Sequence, residues 1–108
     1  MGVEPAFDMS AIIALYKEDA RQAIANMRAA LAQWPDVAAG GQACKELRKL
    51  SHQLRGSGRT YGFHNVSRIS KAMENIMVKL EKKTVNAEER VRLSIEKKIG
   101  RLSDAFKE

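Results

Sequence analysis

The chain is poor in the residues that staple, break or stack a fold. Among its 108 residues only Cys44 is a cysteine, so no intrachain disulfide can form; that suits a reducing compartment, and a cytoplasmic location is the expectation. It has two prolines and six aromatics, too few of the turn breakers and sheet formers that an all-β fold uses. No apolar run approaches the ~20 residues of a membrane span, and the opening residues lack a secretory-signal pattern. No membrane partner is expected. Two histidines and one cysteine at these spacings make no zinc site, and no glycine-rich phosphate loop follows a strand. Neither a metal nor a cofactor is therefore expected. A hydrolytic triad is equally out of reach, because the histidine neighbourhood is cationic and offers no acid–base–nucleophile set.

What the chain has instead is Ala, Leu, Lys, Arg and Glu, the composition of an all-helical protein. Residues 1–108 read as one domain with a single core, of which residues 1–7 form a loose N-terminal arm. Asp8 or Ser10 can cap the first helix. Ile13, Tyr16, Ala20, Ile24, Met27, Leu31 and Trp34 recur at steps of three or four, so that helix is long and amphipathic and stops at Trp34, before Pro35. Trp34 is expected as a core plug near the bundle end, and Val37–Gly41 as a loop. A second helix runs from about Gln42 to Arg59, with Cys44 at the edge of its apolar stripe. Gly62 ends the following turn in a left-handed conformation. A third helix carries Val66, Ile69, Met73, Ile76 and Leu80, with Met77 as core or boundary filling. After a linker over residues 81–85, Asn86 and Glu89 have capping-box spacing and should open a fourth helix with Val91, Ile95, Ile99, Leu102 and Phe106 inside. Short connections favour an antiparallel, up-down-up-down four-helix bundle.

The second helix carries the chemistry. Its stripe is Ala43, Leu47, Leu50 and Leu54; at ~100° per residue, His52 falls roughly opposite that stripe. Lys45, Arg48, Lys49, Arg55, Gly56 and Arg59 share its side. The formal net charge is +6, which predicts an acidic partner surface. A glycine within a helix costs about 1 kcal/mol relative to alanine. Gly56, one turn beyond His52, would leave the ring uncovered for an approaching backbone. Neutral imidazole is a nucleophile near physiological pH, and the surrounding cations, Arg55 first, would stabilise an added phosphoryl group. The plainer reading is a solvated helix face that carries a histidine. His64, just past the Gly62 turn, is expected to cap or decorate the third helix.

The run His52-Gln53-Leu54-Arg55-Gly56-Ser57, with Gly62 following, resembles the signature of histidine-containing phosphotransfer (HPt) domains. Thr60-Tyr61-Gly62-Phe63, Met73-Glu74-Asn75 and the opening Asp8-Met9-Ser10 are similar to the phosphoacceptor domain of chemotaxis histidine kinases. Arg55 stands where the family has lysine, Arg59 where many members have a small residue, and Lys71 where chemotaxis kinases often carry a second histidine. The resemblance implies His52 as phosphoacceptor and Glu74 as the group that accepts the ring Nδ1–H. It further implies a phosphocarrier without a nucleotide site of its own. Its partners would be a histidine kinase or hybrid kinase and a response-regulator receiver domain. Arg55 would stabilise the phosphoryl group, with Lys45, Arg48, Lys49, Gly56 and Arg59 facing the partner. Cys44, Leu47, Tyr61 and Phe63 are candidates for an apolar docking patch. Two other readings stand beside it: an excised chemotaxis-kinase phosphoacceptor domain, and a basic helical module that binds nucleic acid through the same cations without needing His52.

Overall fold

The computed structural model describes residues 9–107, which fold into helices with no strand among them. The helices are α1 (Met9–Leu31), α2 (Trp34–Ala38), α3 (Gln42–Thr60), α4 (His64–Glu81) and α5 (Glu89–Ala105). α3 lies between α1 and α4, and α5 closes onto both α4 and α1. The four long helices thus surround one core, built on Met27, Leu47, Met73, Met77, Ile95, Ile99 and Leu102. The arm and Asp8 lie outside the described residues, and Ser10 sits within the first turn of α1.

The first helix is shorter than the periodicity suggests. α1 ends at Leu31, and Trp34 instead opens the one-turn helix α2, with Pro35 in its first turn. Proline is well placed there, because a first-turn N–H has no intrahelical acceptor to lose. The expected loop over 37–41 is correspondingly trimmed: Val37 belongs to α2 and is completely buried. Trp34 is partly buried against the core, as expected for a residue at the bundle end. α2 also caps its successor. The Asp36 carboxylate accepts the Ala43 N–H at 2.6 Å, satisfying a first-turn donor of α3 that Gly41, the residue at the cap position, cannot serve.

α3 spans the expected residues, with Ala43, Leu47, Leu50 and Leu54 buried. It stops in a Schellman turn. Phe63 N–H donates to Gly58 O at 2.7 Å, Gly62 N–H reaches Arg59 O, and Gly62 holds φ +83°. Just before the turn, Gly58 is buried where a Cβ would stand 3.0 Å from Val66 Cγ1 and 3.1 Å from Phe63 O. That absence of side chain lets the start of α4 close onto α3.

Two expectations for the later helices need correcting. In α4 the fully buried positions are Val66, Ser70, Met73, Met77 and Leu80, with Ile69 and Ile76 only partly buried. α4 packs against α3 on one side and α5 on the other, so its inner face is wider than one heptad seam. Asn86 caps nothing: Glu88 is at the cap position, without a side-chain cap bond, and Glu89 pairs with Arg92. At the Gly62 end, four of the six aromatics meet. Tyr16 stacks on Tyr61 at 4.6 Å and edges onto Phe106 at 5.5 Å, with Phe63 5.3 Å from Phe106. The Tyr16 hydroxyl lies 3.0 Å from Ser57 Oγ, tying α1 to α3.

Candidate functional site

The pairing of α3 with α4 sets the site. Three cross-links join them: Arg48 to Glu81 at 2.6 Å, His52 to Glu74 at 2.7 Å, and Ser67 Oγ donating to Arg55 O at 2.9 Å. Numbers rise along α3 as they fall along α4, so the two helices run antiparallel, with His52–Glu74 as the middle rung. The residue before His52 turns inward: Ser51 is completely buried and donates to Leu47 O at 2.7 Å. The next residue therefore points out. The His52 side chain is 61% exposed, whereas that of Glu74 is only 14% exposed.

This contrast matters chemically. A carboxylate held mostly out of water needs compensation, and Glu74 finds two partners. Oε2 faces His52 Nδ1, and Arg55 Nη1 stands 3.2 Å from Oε1 as a charge partner without hydrogen-bond alignment. Arg55 Nη2 also comes within 3.4 Å of Nδ1. One ring nitrogen cannot both donate to Glu74 and accept from Arg55. The 2.7 Å contact to a carboxylate is much the stronger, so Nδ1 carries the proton and Arg55 acts through Glu74. The remaining nitrogen, Nε2, then bears the lone pair, and no group among the described residues is bonded to it.

The other residues singled out by sequence divide into distinct groups. Lys45, Lys49, Gly56 and Arg59 are exposed, whereas Arg48 is taken up by Glu81. Gly56 has open space where a Cβ would be, so no contact within the chain requires glycine there. Gly62 is the left-handed turn residue. Cys44 and Leu47 are completely buried and form no docking patch; the stripe turns both inward. Burial, reinforced by the Glu81 charge, pushes the Cys44 thiol up to about 11, which leaves it protonated and packed beneath Met77. Tyr61 and Phe63 are partly buried in the aromatic cluster. His64 is the first residue of α4 and is exposed. Arg68 and Ser67 were not singled out by sequence. Arg68 belongs to a different helix from His52, and only the α3–α4 packing brings them to one face; Ser67 shows its role only through its bond to Arg55 O. Among the described residues there is no cluster of metal-ligating side chains.

An exposed histidine thus faces, through Nδ1, a largely buried carboxylate on the neighbouring helix. The Hpt domain model matches residues 11–105. The chain belongs to the Hpt domain family. No curated protein and no solved structure gives a significant match. Hpt domains are helical phosphocarrier modules of phosphorelay signalling, which exchange phosphoryl groups with kinases and receiver domains. In this Hpt domain, no helix among the described residues is long and apolar enough to cross a membrane.

Proposed function

We propose that His52 is the phosphoacceptor of this Hpt domain. It takes a phosphoryl group at Nε2 from a kinase or a receiver aspartyl phosphate and delivers it to a receiver aspartate. The observation that carries this reading is the 2.7 Å contact between His52 Nδ1 and Glu74 Oε2. With Nδ1–H donated to the carboxylate, the Nε2 lone pair attacks phosphorus. The N–P bond forms as the P–O bond to the donor breaks, and the donor oxygen leaves with the electron pair. Positive charge that develops on the ring is met by Glu74. Delivery is the reverse: a receiver carboxylate oxygen forms the new P–O bond while the N–P bond breaks and the electron pair returns to Nε2. Arg55, at 3.2 Å from Glu74, anchors that carboxylate in the free form and is one turn from the ring, within reach of phosphoryl oxygens once they arrive. The cytoplasmic location expected from the cysteine content fits such a relay.

His52→Gln tests the reading. The variant should lose acid-labile, base-stable phosphorylation by a cognate kinase or receiver while keeping its circular-dichroism spectrum, since the exposed ring supports no core contact. Undiminished incorporation would contradict it. Retained nucleic-acid binding at physiological salt, with His52→Gln silent, would favour the basic-module reading instead.

A further inference from the structure

Positive charge flanks His52 on both sides. Towards the α3 N-terminus, Lys45 and Lys49 are exposed and Arg48 is paired with Glu81. Towards the Gly62 turn, an open groove of about 630 Å³ runs between α3 and α4, lined by Arg55, Arg59, Arg68 and Lys71 together with Gly56. No carboxylate lines it. Arg55 shares its charge with Glu74, but Arg59, Arg68 and Lys71 form no ion pair among the described residues. Three uncompensated cations from two helices thus converge on one flank of the exposed histidine. Like charges gathered this way repel, which disfavours the free fold slightly. Ser67 fixes the groove floor by bonding Arg55 O, and Gly56 leaves the wall beside the ring without a side chain.

We infer that this groove is the recognition surface for a carboxylate-bearing segment of the phosphotransfer partner, with Arg59, Arg68 and Lys71 as its contact cations. This rests on the relay reading above. Any protein that reaches Nε2 must lie over the exposed α3–α4 face, and its acidic segment then seats to the Gly62 side of the ring. The cations of the groove would also steer the partner's approach.

The test uses the whole chain phosphorylated at His52 with phosphoramidate, so that delivery is read alone, against receiver domains cloned from the same genome. The variant Arg59→Gln/Arg68→Gln/Lys71→Gln is compared with Arg28→Gln/Lys82→Gln/Lys97→Gln, which removes the same three charges elsewhere; circular dichroism verifies that both fold. The groove variant should deliver roughly 10-fold more slowly at low salt. That deficit should close between about 50 mM and about 500 mM salt, and the distant variant should stay within about two-fold of wild type. Equal rates for the groove variant and wild type, or equal losses in the two variants, would overturn the inference while leaving the relay intact. A groove variant that loses oligonucleotide binding but delivers phosphate normally would do the same. If no phosphoramidate-labelled His52 forms, or no receiver accepts from it, the relay reading itself fails and the inference with it.

Discussion

At the scale of single residues, the site depends on a division of labour between two ring nitrogens. Glu74 is only 14% exposed, so it cannot satisfy itself with water and binds Nδ1 instead; the consequence is a free Nε2. Gly56 shows the opposite economy. Its Cβ position is empty, and a helical glycine costs about 1 kcal/mol relative to alanine. Gly56→Ala should therefore stabilise the fold by about 0.5–1 kcal/mol in urea titrations. At the same time, delivery from phosphorylated His52 to a receiver should slow, because the new methyl group stands in the partner's path. A variant that is both more stable and equally fast would show that the glycine has no part in docking.

At the scale of elements, α3 was legible because its information is local: Ala43, Leu47, Leu50 and Leu54 define one face, and His52 is opposite by arithmetic alone. Its termination was legible for the same reason, since Gly62 is a φ requirement. Its beginning was not. The cap on α3 comes from Asp36 in another helix, across a turn that no sequence spacing announces. Gly58 was also opaque, because it is small for the sake of a neighbouring helix. Asn86 misled through a correct spacing in a segment whose helix starts later, at Glu89. Asp36→Ala should lower stability by about 1 kcal/mol, the usual cost of losing a capping bond. Because the cap lies at the far end of α3 from the Gly62 turn, labelling of His52 below the unfolding transition should be unchanged. No loss of melting temperature would mean that the Ala43 N–H is as well served by water.

At the scale of the whole molecule, the aromatic cluster ties α1, the Gly62 turn and α5 together at one end, and α2 closes onto α1 and α3 at the other. Between them, the α3–α4 face presents His52 at the middle rung of three cross-links. If His52 is the phosphoacceptor proposed above, its exposed place on such a face suits a carrier that must meet more than one partner in the same geometry. The proposed phosphoacceptor is a single atom, Nε2 of His52, and nitrogen-15 and phosphorus-31 NMR of the phosphorylated chain reads it directly. The phosphoryl group should couple to Nε2 of His52, with Nδ1 still protonated and its proton shifted downfield by the Glu74 hydrogen bond. Coupling to Nδ1, or a phosphoryl signal from any residue other than His52, would contradict the account.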